Sequence, residues 1–237
     1  MSFDLQNVQL SYRDKVVGTK LPTEPSEELA ELLGILAGDG YVASYGKDNN
    51  NRISITGHLR DDYAYLKDVN RIIEFLFGIK FRLYSREALT TVNLERRSQA
   101  ISQFLQAIGY QKIHCITRIP HWIWQDEKLT KCFIRGLFDT DGSLCLKKNH
   151  GRHKFYPVID ITLKDEILLR KVANWAHKSE VPHCLLNATY TDKRTNKTYR
   201  KFKLQISGYK NAGKWIKLIG TSNPTKQHKM ELAGLAI

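Results

Sequence analysis

Residues 32–40, LLGILAGDG, decide the fold, because a second version, IRGLFDTDG, returns at residues 134–142. Both versions have a glycine, two apolar residues, two variable residues and then Asp-Gly, at Asp39-Gly40 and at Asp141-Gly142. Two later pairs of blocks also match in the same order: ISIT at 53–56 with IDIT at 159–162, and FLQAIG at 104–109 with WIKLIG at 215–220. Three matched blocks in one order indicate a duplicated unit.

The composition is that of an ordinary globular chain with an excess of positive charge. The 237 residues are 42% hydrophobic and 26% charged, and 37 Lys and Arg against 24 Asp and Glu give a net charge of +13. A polyanion is therefore the natural partner. Since we find no run of about 18 apolar residues and no amphipathic basic tail, a nucleic acid fits better than a membrane surface.

The cysteines and the N-terminal residues bear on the compartment. Cys115, Cys132, Cys145 and Cys184 have no C-x-x-C spacing, which argues against a zinc site and predicts reduced thiols. The first residues lack the apolar segment of a secretory signal and the pattern of a transit peptide. We expect a cytosolic protein, or one of an organellar matrix if it is organelle-encoded, and not a secreted one.

Each unit is predicted to contain a helix, two strands, a helix, two strands and a helix. In the first unit, Ser26 caps a helix that ends near Gly38. The other elements of this unit are strands at 41–47, 52–56, 81–85 and 91–95 and helices at 61–78 and 98–108. The second unit repeats the order from about residue 128. We predict an N-terminal half with an N-terminal extension at residues 1–116, a linker at 117–127 and a C-terminal half at 128–237.

Alternation along the strands predicts one polar face on each sheet. Ile53 and Ile55 point to one side, and the polar positions on the other side are Arg52, Ser54, Thr56, Lys80, Arg82, Tyr84, Lys201, Lys203 and Gln205. A solvated face is the commoner explanation for any single strand. These positions, however, are repeatedly side chains that suit phosphates and base edges. We therefore predict an α+β fold with helices on one side of each antiparallel sheet and DNA on the other.

Small residues and aspartates in the repeated stretch predict a catalytic centre. Gly34 and Gly38 lie on one face of the first helix, and small residues occupy the same places in the second. Close packing of the two helices would bring Asp39 and Asp141 together at helix C-termini, where two carboxylates are unfavourable without a cation. One Asp-Gly would be explained by a helix-ending turn. Two copies in the same setting favour a Mg²⁺ site and phosphodiester hydrolysis.

These stretches resemble the two motifs of the LAGLIDADG homing endonucleases, whose name spells the sequence. The resemblance covers about residues 26–230 and implies a monomer with pseudo-twofold symmetry, built from a tandem αββαββα repeat. In such a protein the motif helices form the interface between the halves, and the sheets form a DNA-binding saddle. Ala37 departs from the motif in the first copy, whereas the second copy keeps Asp139.

The resemblance also implies functional residues. Asp39 and Asp141 correspond to the family's metal ligands, and Gly38 and Thr140 to residues that lend a backbone carbonyl to the metal. The family places basic residues near the metals, and the candidates for that role here are His58, Lys112, Lys164 and Lys226. We expect Mg²⁺ as the cofactor, with Mn²⁺ as a substitute and Ca²⁺ binding without supporting cleavage.

The first strand of each unit is expected to supply further groove contacts. Counting by twos from the motif aspartates gives Tyr41, Ala43, Tyr45 and Lys47 in the first unit and Ser143, Cys145, Lys147 and Asn149 in the second. Because the two sets differ, the expected target is long and asymmetric rather than palindromic.

The sequence therefore predicts a site-specific, metal-dependent homing endonuclease that makes a double-strand break. A catalytically silent DNA-binding regulator or an intron-RNA maturase on the same fold is the alternative, with intron RNA as a further partner. An intein would begin with a nucleophilic residue and end in His-Asn, unlike Met1 and Ile237 here. A P-loop or Rossmann enzyme would show a glycine fingerprint after a strand, which we do not find.

Overall fold

The computed structural model describes residues 1–43, 51–113, 116–148, 155–192 and 196–235. The chain divides into two compact units, Met1–Thr140 (unit 1) and Asp141–Ile237 (unit 2). The predicted division into two halves joined by a linker at residues 117–127 concerns the bounds of the sequence repeats and stays a prediction.

Unit 1 contains one four-stranded antiparallel sheet and most of the helices. The strands of this sheet, sheet 1, are β1 (Gly40–Val42), β2 (Arg52–His58), β3 (Arg82–Arg86) and β4 (Thr91–Arg97), in the order β1-β2-β4-β3. The helices are α1 (Tyr12–Val16), α2 (Glu27–Ala37), α3 (Tyr63–Phe77), α4 (Gln99–Ala107), α5 (His121–Gln125) and α6 (Glu127–Asp141), whose last residue opens unit 2. A separate hairpin pairs β5 (Gln111–Ile113) with β6 (Ile116–Arg118).

Local signals account for the ends of these helices. The Ser26 hydroxyl accepts a hydrogen bond from the Leu29 amide at 3.2 Å and begins α2, and the Ser98 hydroxyl does the same for Ile101 at 3.1 Å in α4. Gly78 ends α3 with φ of +68°, a conformation that favours glycine. The helices predicted near these positions are thus present.

Two glycines explain how closely α2 and α6 approach each other. A Cβ on Gly34 would overlap the Phe133 carbonyl oxygen, and a Cβ on Gly136 would overlap the Glu31 carbonyl oxygen. The Glu31 carboxylate, moreover, accepts from Arg135 at 2.6 Å. The helix pairing that the small residues predict is therefore present within unit 1.

The helices of unit 1 cover one face of sheet 1. Ile53, Ile55 and Leu94 on this inner face are at most 1% exposed. They pack against apolar residues of α2, α3 and α4, including Leu36, Ile73, Phe77, Ile101 and Leu105. The other face of sheet 1, its outer face, lies opposite these helices.

The N-terminal extension and the predicted linker are both structured. Asp14 in α1 accepts hydrogen bonds from the Ser98 hydroxyl at 2.6 Å and the Ala100 amide at 3.2 Å, and so binds the extension to α4. The segment 117–127 contains part of β6 and all of α5. Trp122 in α5 packs on Phe3, with ring centroids 5.7 Å apart.

Unit 2 repeats the sheet and its covering helices. Sheet 2 consists of β7 (Gly142–Lys148), β8 (Phe155–Leu163), β9 (Cys184–Asp192) and β10 (Lys197–Ser207), in the order β7-β8-β10-β9. Its helices are α7 (Glu166–Lys178), α8 (Tyr209–Leu218) and α9 (Pro224–Leu232). On the inner face, Ile159, Ile161, Leu204 and Ile206 are fully buried.

The same strand order in both units confirms the predicted α+β repeat. The two units differ after the last helix of the repeat. In unit 1, α4 is followed by the β5–β6 hairpin, whereas in unit 2, α8 is followed by the helix α9. None of the helices in the described ranges is both long and apolar enough to cross a membrane.

Candidate functional site

The outer face of sheet 1 is polar and basic, as the alternation predicts. Its members include Tyr41, Arg52, Ser54, Thr56, Arg82, Tyr84, Arg86, Asn93, Glu95 and Arg97, as the strand register places them. One row of cross-strand neighbours runs through Tyr41, Ser54, Glu95 and Arg82, directly after the Asp-Gly pair. The basic members outnumber the single acid, so this face attracts a polyanion.

Glu95 binds two neighbouring side chains on this face, those of Arg52 and Tyr84. Its carboxylate pairs with Arg52 at 2.8 Å and accepts from the Tyr84 hydroxyl at 3.0 Å. The guanidinium of Arg52 also lies over the Tyr41 ring, 5.8 Å from its centroid. These side chains are therefore held in one arrangement before any partner binds.

Three predicted contact residues of unit 1 do not fit a direct contact with a partner. Ala43 and Ser54 are only 5% and 4% exposed, so their side chains support the face rather than present a surface. Lys80 precedes β3, and its ammonium pairs with Glu74 of α3 at 3.2 Å. The alternation along β3 thus does not extend back to Lys80, because the strand begins at Arg82. Tyr45 and Lys47 lie outside the described residues.

The outer face of sheet 2 is also polar but differs in chemistry. The row that follows Asp141-Gly142 runs through Ser143, Asp160, Gln205 and Cys184. Asp160 accepts from the Gln205 amide at 2.8 Å and from the Lys203 ammonium at 3.2 Å. The predicted members Cys145 and Lys147 are exposed, and Asn149 lies outside the described residues.

Two lysines of unit 2, Lys201 of β10 and Lys164 just after β8, lie against tyrosine rings. The Lys201 ammonium is 4.5 Å from the centroid of Tyr190, and the Lys164 ammonium is 4.0 Å from the centroid of Tyr199. Such contacts are attractive because the ring face is negative. Lys164, predicted as a basic residue near the metal, is therefore engaged with the β9–β10 ribbon.

The C-terminal end of α2 is bound by a lysine from β5. The Lys112 ammonium donates to the carbonyl oxygens of Gly38 at 2.6 Å, Gly40 at 2.9 Å and Leu36 at 3.2 Å. A cation at a helix C-terminus offsets the negative end of the helix dipole. In the chain, Asp39 lies between Gly38 and Gly40, two of the residues that Lys112 contacts. The positive charge of Lys112 therefore offsets part of the negative charge at this helix end, which the sequence predicts a metal ion to offset.

Negative charge is concentrated near this end of α2. Burial raises the pKa of Tyr65 well above its ordinary value, and the charges of Asp139, Glu31, Asp62 and Asp39 raise it further, in that order. Tyr65 is 2% exposed and Asp139 is 1% exposed. The buried Tyr65 hydroxyl is therefore influenced by four carboxylates, one of which is that of Asp39.

The remaining predicted residues have distinct surroundings. His58 ends β2 and lies 3.1 Å from the Asp61 carboxylate. Thr140 donates its hydroxyl to the Gly136 carbonyl at 3.1 Å. Lys226 lies in the first turn of α9 and is only 8% exposed, and α9 packs on β7, the strand that follows Asp141. Lys226 thus lies on a helix that packs on the first strand of unit 2, whereas Lys112 directly contacts the start of β1 in unit 1.

The predicted metal ligands are the carboxylates of Asp39 and Asp141 and the backbone carbonyls of Gly38 and Thr140. Oxygen ligands of this kind suit a hard divalent cation. Within the described ranges, no group of three or more His, Cys, Asp and Glu is placed to hold a metal ion. Mg²⁺ commonly uses one or two carboxylates and completes its shell with waters and substrate phosphates.

A comparison with protein-family models matches the second repeat. The model for the LAGLIDADG-like domain fits residues 129–220, which include most of α6 and all of sheet 2, α7 and α8. Residues 129–220 form a LAGLIDADG-like domain. A comparison with curated protein sequences gives no match.

Solved structures establish that the fold extends beyond the LAGLIDADG-like domain. Variants of the homing endonuclease I-DmoI match with a TM-score of 0.54 and 16% identity, over 82% of this chain and 95% of theirs. The homing endonuclease I-WcaI, bound to its DNA recognition sequence, matches with a TM-score of 0.51 and 14% identity, over 84% of this chain and 83% of that one. The chain therefore has the homing endonuclease fold.

A protein with a different name has the same fold. Full-length DUF199/WhiA from Thermatoga maritima matches with a TM-score of 0.54 and 15% identity, over 95% of this chain and 66% of that chain. The fold is thus not confined to structures named homing endonucleases.

Sequence reasoning named most of the outer-face residues but missed the roles of two acids. Glu95 and Asp160 lie on the outer faces of sheet 1 and of the sheet in the LAGLIDADG-like domain, where each binds polar neighbours. The signal was present, since Asp160 alternates with Ile159 and Ile161 and Glu95 follows the inward-facing Leu94. Their hydrogen-bond partners, however, depend on strand register.

Proposed function

We propose that this protein is a site-specific endonuclease that cuts both strands of a long, asymmetric DNA target by metal-dependent hydrolysis. The observation that carries the proposal is the repeated order of motif helix, aspartate and polar sheet. Asp39 directly precedes β1, and Asp141 directly precedes β7. In each unit, that strand belongs to a sheet with a polar outer face.

Binding to DNA is supported by charge and by side-chain chemistry. The chain has a net charge of +13, and its outer faces combine arginine, lysine, glutamine and tyrosine. Such side chains neutralise phosphates and form hydrogen bonds with base edges. Because the two outer faces differ, the two halves of the target should differ too.

The proposed metal ligands are the carboxylates of Asp39 and Asp141 with the backbone carbonyls of Gly38 and Thr140. A bound Mg²⁺ or Mn²⁺ ion would polarise the phosphodiester and stabilise the leaving oxygen. Structures of I-DmoI with DNA were determined with Mn and with Mg, which agrees with this choice of ion. We propose that Ca²⁺ binds without supporting cleavage.

The chain's own basic residues have separate parts in this proposal. Lys112 fixes the backbone on both sides of Asp39 through its three carbonyl contacts. Lys226 is the buried lysine beside β7 in unit 2. His58 and Lys164 are weaker candidates for a role beside the metal, because Asp61 and Tyr199 already engage them.

The test is cleavage of a library of randomised duplexes by the wild-type chain and by Asp39→Asn and Asp141→Asn. We expect Mg²⁺-dependent cleavage that a chelator abolishes, and a loss of at least about 100-fold in each variant with DNA binding retained. Asp68→Asn is the matched control, because Asp68 pairs with Arg71 at the surface of α3, away from the motif aspartates in the chain. Full activity in both motif variants would refute the proposal.

A DNA-binding regulator on the same fold is the second candidate. The match to WhiA and the lack of a three-residue metal group in the described ranges favour it. Selective duplex binding without cleavage in Mg²⁺ or Mn²⁺ would replace our proposal with this one. Preferential binding of a structured RNA over duplex DNA, measured with the same chain, would instead indicate the maturase alternative.

We further propose that the chain acts as a monomer in the cytosol or an organellar matrix. Both motif copies are present in one chain, so a second copy is not needed to supply the repeat. The mass of the complex with duplex DNA, measured by light scattering, tests the monomer.

A further inference from the structure

Arg52 and Glu95 form an ion pair on the outer face of sheet 1. The Arg52 Nη2 and Glu95 Oε2 atoms are 2.8 Å apart, and the side chains are 35% and 22% exposed. The same Glu95 oxygen accepts from the Tyr84 hydroxyl at 3.0 Å. The pair is therefore half-buried and fixed by a second donor, unlike a mobile ion pair on a solvated surface.

The hydrogen-bonding capacity of Arg52 is only partly used. A guanidinium has five N–H donors, and the bond to Glu95 uses one of them. The Arg52 Nε atom is buried and has no hydrogen-bond partner among the described residues. Because the contact with Glu95 is made through Nη2, Arg52 keeps its Nη1 donors for a further acceptor, whereas the buried Nε is out of reach of one. Glu95 and the Tyr41 ring restrict the orientation of the guanidinium.

Guanine is the base that matches this geometry. In the major groove guanine presents two acceptors, O6 and N7, and arginine binds both at once. Such a bidentate contact requires a fixed guanidinium plane, and a neighbouring carboxylate can provide that fixation. We propose that Arg52 reads a guanine in the DNA target and that Glu95 is the residue that positions it. This inference rests on the proposed function, because it requires a DNA partner.

Glu95 belongs to the outer-face row that follows Asp39-Gly40, and the corresponding row of sheet 2 follows Asp141-Gly142. The side chains of the two rows differ. In sheet 2 the acid is Asp160, and it holds the amide of Gln205 and the ammonium of Lys203. The acid has also changed strands, since Glu95 lies on β4, whereas Asp160 lies on β8, the counterpart of β2. An arginine held by a carboxylate in this row is therefore a property of unit 1, and the guanine it reads should belong to one half of the target.

The experiment is selection of bound duplexes from a randomised library, with a chelator present so that binding is measured without cleavage. The variants are Arg52→Lys, which keeps the charge but loses the planar fork, and Glu95→Gln, which keeps the size but loses the charge. The matched control is Arg71→Lys, because Arg71 also pairs with a carboxylate, that of Asp68, but lies on α3, away from the outer face of sheet 1. Circular dichroism and thermal melting confirm that each variant is folded.

We expect the wild-type chain to prefer guanine at one position by at least roughly tenfold, a preference that Arg52→Lys removes. Glu95→Gln should weaken the preference at that same position by about fivefold or more, and Arg71→Lys should leave the whole base profile unchanged. Overall affinity should change little in Arg52→Lys, because the positive charge remains.

Three results would overturn the inference. An unchanged profile in Glu95→Gln would make Glu95 a structural residue only. A change at a different base pair from that of Arg52→Lys would mean that Glu95 contacts a base itself. Equal changes in Arg52→Lys and Arg71→Lys would show that the effect is not specific to the outer face and would remove any special role of the Arg52–Glu95 pair. A wild-type chain that binds no duplex would refute the proposed function as well, whereas binding with an unchanged profile refutes this inference alone.

Discussion

Sheets 1 and 2 can be compared row by row, counting from the Asp-Gly pair of each repeat. On the inner face, the row at the pair itself consists of Gly40, Ile55, Leu94 and Leu83 in sheet 1 and of Gly142, Ile161, Leu204 and Leu185 in sheet 2. On the outer face, the next row consists of Tyr41, Ser54, Glu95 and Arg82 in one sheet and of Ser143, Asp160, Gln205 and Cys184 in the other. The inner rows are identical in residue type, and the outer rows share no residue type at any position.

This difference separates two requirements on the same strands. Inner-row side chains must fill a fixed space against helices, where a change of even one methylene affects packing. The exposed outer-row side chains, such as Tyr41, Arg82 and Ser143, meet no such constraint and can differ with the partner that each sheet binds. We infer that the inner rows preserve the fold and that the outer rows determine the partner's sequence.

The largest effect should follow from truncating the inner rows. Ile55→Ala and Ile161→Ala remove side chains that are at most 1% exposed, so each should lower the free energy of unfolding by about 3 kcal/mol. Urea denaturation measures the change. The matched outer-row variants Arg82→Ala and Ser143→Ala, both at exposed positions, should stay within about 0.5 kcal/mol of the wild type. Equal losses in the two rows would contradict the separation.

A smaller effect should follow from removing the Lys112 ammonium. Lys112→Met keeps much of the apolar stem but leaves three carbonyl oxygens at the end of α2 without their donor. We expect a loss of about 2 kcal/mol in the free energy of unfolding. Lys210→Met, at an exposed position of α8, provides the control and should be nearly neutral. If both variants melt together with the wild type, Lys112 does not stabilise the end of α2.

The smallest effect concerns the N-terminus of α4, which differs from that of α8. Asp14 and Ser98 supply α4 with side-chain acceptors, whereas Gly208 gives α8 no side-chain cap in the described ranges. Asp14→Asn should therefore lower the free energy of unfolding by about 1 kcal/mol at pH 7. Asp4→Asn, at an exposed position of the same extension, is the control.

The effect of Asp14 should also depend on pH. Burial acts to raise the pKa of Asp14, but hydrogen bonds from Ser11, Ser98 and Ala100 outweigh it and hold the pKa below the ordinary value of 3.8. The stabilisation is complete above 3.8 and is lost as the pH falls through the lower pKa of the folded state. The difference between the wild type and Asp14→Asn should consequently shrink as the pH falls below 3.8. A difference in the free energy of unfolding that grows as the pH falls would contradict a lowered pKa of Asp14 in the folded state.

The sequence was sufficient for the parts of the fold that have strong periodicity. The duplicated blocks, the capping residues Ser26 and Ser98 and the αL glycine at Gly78 locate α2, α3 and α4, and alternation assigns most strand residues to the correct face. It was insufficient for short elements such as α1, β5, β6 and α5, because three to five residues show no period. The helix α9 was missed because its low amphipathicity leaves no apolar stripe.

The candidate site was less predictable than the fold. Asp39 and Asp141 are visible in the sequence because they repeat, but contacts between distant strands are not. The Lys112 contacts with Gly38 and Gly40 and the Glu95 contact with Arg52 depend on how β5 meets β1 and on the register of β2 with β4. A shift of one residue in that register would move every outer-face side chain to the inner face.

The packing of α6 against α2 has a consequence for synthesis of the chain. Because Gly34 meets Phe133 and Gly136 meets Glu31, the first compact unit contains the helix of the second motif. A nascent chain that has emerged only as far as residue 116 therefore exposes the glycine face of α2, and its core is incomplete. Folding of the first half on the ribosome must wait for the start of the second half, so truncated translation products should be recognised by chaperones rather than accumulate as folded half-proteins.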